Sequence, residues 1–189
     1  MAGLIETEVK FRVADRATLE ARLRALGAGE GPREDEINLL LDDAGRTLKG
    51  RGEALRIRVV DGKGLLTFKG RVRFASGMKS RLELESGVDD PERVREILAA
   101  LGYQPLFRYD KRRVTWRFSE AARPLVVIDE TPLGLFAEVE GDAAAVRALA
   151  RELEVPESAF LAESYASLYL AARAADPTLP PDMVFPAAG

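Results

Sequence analysis

The chain has 189 residues, 47% hydrophobic and 31% charged, enough for one domain with its own core. Its net charge of −3 and pI near 5.3 argue against bulk attraction to nucleic acid or to an anionic membrane. Cysteine and histidine are both absent. This excludes disulfides, thiolate and imidazole metal sites and Ser-His or Cys-His catalysis, and leaves only hard oxygen sites for Mg²⁺, Mn²⁺ or Ca²⁺.

No apolar run reaches membrane-span length and the N-terminus carries no signal-peptide pattern, so the expectation is a soluble, cytoplasmic protein. Residues 4–11 alternate: Glu6, Glu8 and Lys10 share one strand face, and Ile5, Val9 and Phe11 the other. Asp15 is placed to cap a helix with Leu19, Leu23 and Leu26 on one side, and Gly27 to end it. Residues 28–35 read as a polar, glycine-rich loop, residues 36–41 as a strand with Glu36 and Asn38 on one parity, and residues 42–53 as turn and loop. Residues 54–59 and 65–69 form a hairpin across Asp61-Gly62, with Arg56 and Arg58 at spacing two and Lys69 on the returning strand. Residues 70–78 read as a basic loop. Residues 79–87 alternate again, Arg81, Glu83 and Glu85 against Leu82 and Leu84.

Asp90-Pro91 opens a helix carrying Val94, Ile97, Leu98 and Leu101. Ala-Leu-Gly closes this helix and the first, a trace of two related halves. A long strand over 107–118 holds Lys111 and Arg113, residues 125–129 are apolar and end on Asp129, and residues 135–140 set Glu138 and Glu140 on one face. Asp142 caps a helix with Val146, Leu149 and Leu153, Pro156 breaks it, and a last helix covers roughly 157–174. The chain divides into one domain, residues 1–175, and a Pro- and Ala-rich tail, residues 176–189.

A solvated sheet face explains any single charged pair at strand spacing. Repetition on strand after strand, with apolar opposite faces and amphipathic helices to cover them, fits a closed barrel whose interior is charged. Burying unpaired charge is costly, so such an interior needs both signs and a ligand. Arginine offers bidentate contacts to phosphate and lysine a point charge. Carboxylates belong beside phosphate only with divalent cations between them. The set reads as a metal–triphosphate site, and no G-x-x-x-x-G-K-[ST] segment offers a P-loop instead. Trp116 and Tyr165 read as packing residues, and alternation splits Lys111-Arg112-Arg113 across two faces, against a nucleic-acid patch.

Glu6-x-Glu8-x-Lys10 resembles the N-terminal signature of the CYTH superfamily, the triphosphate tunnel metalloenzymes. Leu55-Arg56-Ile57-Arg58, Thr67-Phe68-Lys69, Arg81-x-Glu83-x-Glu85, Lys111-x-Arg113, Asp129-Glu130 and Leu133-Gly134-x-Phe136-x-Glu138-x-Glu140-Gly141 follow its later motifs in order. Ser164-Tyr165-x-x-Leu168 resembles its C-terminal helix motif, so the resemblance spans roughly residues 4–172. It implies an α+β fold, a closed eight-stranded antiparallel β-barrel forming a triphosphate tunnel, with helices packed outside. It implies Glu6, Glu8, Asp129, Glu138 and Glu140 as ligands of Mg²⁺ or Mn²⁺, and Arg56, Arg58, Lys69, Arg81, Lys111 and Arg113 as triphosphate contacts. Lys10 is the candidate catalytic residue, and Glu83 and Glu85 face the tunnel with their roles open. In many triphosphatases of this family a Tyr before the position of Asp42 pairs with the motif lysine, and Asn38-Leu39-Leu40-Leu41 has none.

The expected function is metal-dependent hydrolysis of a small triphosphate: inorganic triphosphate, a nucleoside triphosphate such as ATP, or thiamine triphosphate. Class IV adenylate cyclase chemistry, from ATP to cyclic AMP and pyrophosphate, is the alternative. A non-catalytic polyphosphate- or nucleotide-binding module is a third reading. No nucleic acid or membrane partner is expected, and the oligomeric state stays open, a dimer being one option.

Overall fold

The structure is a computed structural model. It describes residues 4–75 and 78–186, without the side chains of Leu4, Glu6 and Ala75. The described strands are β1 (Leu4–Arg12), β2 (Gly29–Asp42), β3 (Ala54–Val60), β4 (Lys63–Lys69), β5 (Arg73–Ala75), β6 (Met78–Val88), β7 (Gln104–Arg117), β8 (Leu125–Thr131) and β9 (Gly134–Glu140). They neighbour one another in the order β1-β9-β8-β7-β2-β3-β4-β6, and β6 pairs back onto β1. Eight strands thus close an antiparallel barrel, as the resemblance implied, and closure leaves those strands no free edge. The short β5 is an addition to β6. The helices are α1 (Arg16–Ala25), α2 (Thr47–Arg51), α3 (Pro91–Ala100), α4 (Ala143–Glu152) and α5 (Tyr165–Ala175).

Alternation decides which side chains leave water. Outward Val9, Phe11, Val114, Trp116, Val126, Ile128, Ala137 and Val139 form one core with Leu19 and Leu23 of α1 and Val146 and Leu149 of α4. Trp116 is fully buried there. Asp15, Asp90 and Asp142 cap α1, α3 and α4 by accepting backbone N–H bonds. A second cluster joins Phe107, Tyr109 and Phe136 to Tyr165 and Tyr169 of α5 and Met183 of the tail. Although irregular, the tail is tied to β7: Asp110 N donates to Met183 O at 2.9 Å and Met183 N to Arg108 O at 3.0 Å. By contrast α3, which lies against β3, β4 and β7, leaves Ile97 51% and Leu101 70% exposed.

The structure departs from the sequence expectation at four places. Residues 29–35 are strand, paired with β7 through an irregularity between Glu30 and Arg33. A Cβ at Gly31 would come 2.7 Å from Thr115 O, so the glycine permits this close pairing and does not mark a loop. The segment 42–53 contains α2, whose first N–H groups are held by the Asp42 carboxylate at 3.0 Å (Leu48) and 2.9 Å (Lys49). Part of the basic loop is strand, since Arg73, Phe74 and Ala75 pair with β6, while Ser76 and Gly77 lie outside the described residues. The last helix starts late. Residues 157–159 make one 3-10 turn, Leu161 N donates to Lys10 O at 2.7 Å, and only then does Ser164 cap α5.

Candidate functional site

The barrel encloses a cavity of about 1570 Å³ lined by Lys10, Arg56, Arg58, Lys69, Arg81, Lys111 and Arg113, and by Glu8, Glu83, Glu85, Glu138 and Glu140. Strand register puts them together. Glu8 stands directly across from Glu140 and Lys10 from Glu138, Lys79 faces Glu8, and Arg113 faces Asp129. Cross-strand partners share a face, so a single inward parity gathers charges from both ends of the chain.

Carboxylate oxygens of Glu8, Glu138 and Glu140 all lie within 4.8 Å of one another. Lys10 Nζ sits 3.1 Å from Glu138 Oε1, Arg113 Nη2 donates to Glu138 Oε2 at 2.8 Å, and Lys79 Nζ lies 3.4 Å from Glu8 Oε1. Burial alone would raise Glu138, but Lys10 and Arg113 hold it well below the usual carboxylate range. Burial likewise opposes charge on Lys10, and Glu138, Glu8 and Asp129 outweigh it, leaving that lysine above its ordinary value. Three carboxylates at this separation, with oxygen the only donor, fit a hard divalent cation, and a carboxylate oxygen keeps lone-pair capacity beyond one hydrogen bond. Glu6 lies two residues before Glu8 on the same strand parity, and its side chain is outside the described residues.

Beside the trio is a network centred on Asp129. Asp129 is fully buried and accepts from Arg113 Nε and Nη2 at 2.7 Å, from Lys111 Nζ at 3.1 Å and from the Tyr165 hydroxyl at 2.8 Å. Burial pushes Asp129 up, and Arg113 and Lys111 overcome this and take it down to about 2. Glu36, also buried, faces Lys111 at 3.3 Å, Arg58 at 3.4 Å and Arg113 at 3.7 Å. Those cations hold Glu36 below its usual value although burial opposes them.

The remaining wall is richer in cations. Arg56 is 5% exposed and reaches Thr67 Oγ1 at 3.2 Å and the Tyr109 hydroxyl at 3.4 Å, while its Nε is buried without a hydrogen-bond partner. Asn38 Oδ1 is likewise buried and unpartnered. Lys69 and Arg81 both converge on Glu83, at 2.5 and 2.9 Å. Burial, Arg56 and Arg81 push the Lys69 ammonium below its ordinary value. Cations that repel one another around a buried donor with no partner, Arg56 Nε, are the arrangement an anion relieves.

All the sequence-identified residues whose side chains are described line this lumen except Asp129, which adjoins it behind Lys111 and Arg113. The sequence reading left out Glu36, Asn38, Lys79 and Tyr109 as members of the site, and read Tyr165 as packing. Parity could have found Lys79, two residues before Arg81, and Glu36. Only long-range contacts reveal Tyr165.

The CYTH domain family matches residues 4–169. A protein of Methanocaldococcus jannaschii named "Putative adenylate cyclase" is 28% identical over 137 residues, 72% of this chain and 77% of its own length. A solved structure from Pyrococcus horikoshii OT3 is similar with TM-score 0.74 and 26% identity, over 89% of this chain and 99% of that one. One from Vibrio parahaemolyticus, of a protein also described as a putative adenylate cyclase, has TM-score 0.75 at 21% identity, over 89% and 99%. Since the match runs from β1 into α5 on a closed eight-stranded tunnel, the chain belongs to the CYTH domain family.

Proposed function

We propose that this protein is a divalent-metal-dependent hydrolase of small triphosphates, acting inside the barrel. The observation that carries the reading is the meeting, in one lumen, of the Glu8–Glu138–Glu140 trio and a wall of buried cations with an unpartnered Arg56 Nε. Glu8, Glu138 and Glu140 would hold Mg²⁺ or Mn²⁺, with Glu6 as the neighbouring candidate on the same strand. A cation there would neutralise phosphoryl charge and polarise a phosphoryl oxygen. Asp129 lies outside the Glu8–Glu138–Glu140 trio and accepts from Arg113, Lys111 and Tyr165, so it is better read as the anchor of the two cations.

Arg56, Arg58, Lys69, Arg81, Lys111 and Arg113 bind and orient the phosphate chain, and Glu83 holds Lys69 and Arg81 while Glu85 lies beside Arg56 at 3.6 Å. Lys10, between Glu138 and the lumen, is placed to meet charge that develops on the transferring phosphoryl group. Water adds to the terminal phosphorus, the bridging P–O bond breaks, and the remaining diphosphate leaves with the bridging oxygen. Hydrolysis is preferred because the cations and carboxylates of the described lumen suit a metal-bound anionic chain.

Cyclase chemistry is the second reading, supported by the name of the Methanocaldococcus jannaschii relative. There the ribose 3′-oxygen would attack the α-phosphorus and pyrophosphate would leave. Phosphorus NMR of ATP, thiamine triphosphate and inorganic triphosphate with Mg²⁺ or Mn²⁺ separates the readings. The expected result is orthophosphate plus the diphosphate product, abolished by EDTA. Cyclic AMP with pyrophosphate would establish the second reading, and no turnover of any of the three would contradict both.

A further inference from the structure

Tyr165, at the start of α5, lines the lumen and touches the centre of the site. The Tyr165 ring lies 3.9 Å, to its centroid, from Lys10 Nζ and 5.6 Å from Lys111 Nζ. Its hydroxyl donates to Asp129 Oδ2 at 2.8 Å, and Phe136 meets the ring edge-on at 5.3 Å. Both ends of the side chain are therefore fixed. The same segment grips Lys10 twice more: Leu161 N donates to Lys10 O at 2.7 Å, and Lys10 Nζ donates to Glu163 O at 3.4 Å. Three contacts from residues 161–165 thus locate a lysine of the first strand.

The alternative positions of that ammonium explain why this matters. Glu8, on the same strand face, and Glu140, across from Glu8, are both carboxylates close to Glu138. A flexible lysine would swing into the trio and occupy the oxygens offered to a metal ion. An aromatic face attracts an ammonium without supplying a competing anion, most strongly where water is excluded. We propose that Tyr165 is a positioning residue: its ring holds the Lys10 ammonium on the α5 side of Glu138, clear of Glu8 and Glu140, and its hydroxyl bond to Asp129 fixes the ring. The kinetic consequence rests on the hydrolase reading above, whereas the placement of Lys10 does not.

The test uses full-length protein with isotope-labelled lysine, the Lys10 signal being assigned by its loss in Lys10→Arg. In wild type the Lys10 ε-methylene protons should resonate upfield of the other lysines, shielded by the ring. Tyr165→Phe keeps the ring and should keep the shift. Tyr165→Met fills similar volume without an aromatic face and should abolish it. The same variants are assayed for triphosphate turnover and for Mn²⁺ affinity, with melting temperature confirming that each is folded. Tyr165→Met should lower kcat tenfold or more with KM within about twofold, and weaken Mn²⁺ binding. Tyr165→Phe should hold kcat within about threefold. A Lys10 signal unmoved by Tyr165→Met overturns the inference, as does a raised KM with kcat unchanged. Absence of turnover in wild type would refute the hydrolase reading alone, and the Lys10 shift and Mn²⁺ affinity would still decide the role of Tyr165.

Discussion

On one side of the tunnel both oxygens of Asp129 are paired, accepting from Arg113, Lys111 and Tyr165. On the other, Lys69 and Arg81 share Glu83, Arg56 has a bare Nε, and Lys69 sits below its ordinary pKa. Both walls are buried and built from the same residue types, so the difference lies in completeness. A satisfied buried network is rigid, and removing one member leaves an uncompensated charge. An incompletely satisfied wall has unused donors and mutual repulsion, which an incoming anion relieves. On the proposed function, Asp129 holds Arg113 and Lys111 in position for the phosphate chain, and the Lys69–Arg56 wall is the one whose strain the chain relieves.

Substitutions should separate the two walls. The largest effect is expected from Asp129→Asn, which removes the buried carboxylate that Arg113 and Lys111 share. It should destabilise the fold by about 3–5 kcal/mol, read as a fall in melting temperature of roughly 6–20 °C. A melting temperature equal to wild type would end the distinction between the walls. Lys69→Ala should do the opposite, leaving the melting temperature little changed while weakening triphosphate binding by about 1.5–3 kcal/mol, roughly tenfold or more. Calorimetry with tri- and diphosphate checks this, since equal losses for both would indicate a general electrostatic effect and not a contact at one position along the chain.

Acid provides a third comparison. The folded-state pKa of Asp129 is about 2, below its unfolded value. Its contribution is therefore present above about pH 4 and is lost as pH falls through that window toward 2, on the order of 2 kcal/mol. Urea titrations at pH 5 and pH 2.5 should show this loss in wild type and a smaller one in Asp129→Asn. The smallest effect belongs to the open wall in alkali. Because Lys69 is held below 10.5, triphosphate affinity should begin to fall as pH rises through that lowered value. Affinity constant up to the ordinary lysine range would contradict the repulsion assigned to Lys69, Arg56 and Arg81.

Much of this arrangement was legible before any coordinates, because strand alternation fixes both what faces inward and what the outer face must pack against. Arg56 and Arg58, Glu138 and Glu140, and Lys111 and Arg113 needed only a parity. Glu36 was harder, since it begins where Gly29, Gly31 and Pro32 suggest a loop; pairing with β7 turns that stretch into strand. Tyr165 was legible as part of the C-terminal helix motif but not in its contacts. On its helix it is one aromatic among several, and its meaning comes from Lys10 and Asp129, each far away in sequence. The start of α5 was misplaced for the same reason, because Leu161 bonds to the first strand instead of continuing a helix.

On the proposed function, Glu8, Glu138 and Glu140 hold a divalent ion against a bound triphosphate. Electron paramagnetic resonance of Mn²⁺ with a non-hydrolysable triphosphate analogue tests it most directly, comparing wild type with a Glu8→Gln, Glu140→Gln double variant. Stoichiometric Mn²⁺ binding with resolved phosphorus couplings is expected in wild type. In the double variant both should be lost while the melting temperature is maintained or raised, because repulsion among the carboxylates is removed. Mn²⁺ bound with unchanged affinity and phosphorus couplings in the double variant would contradict it.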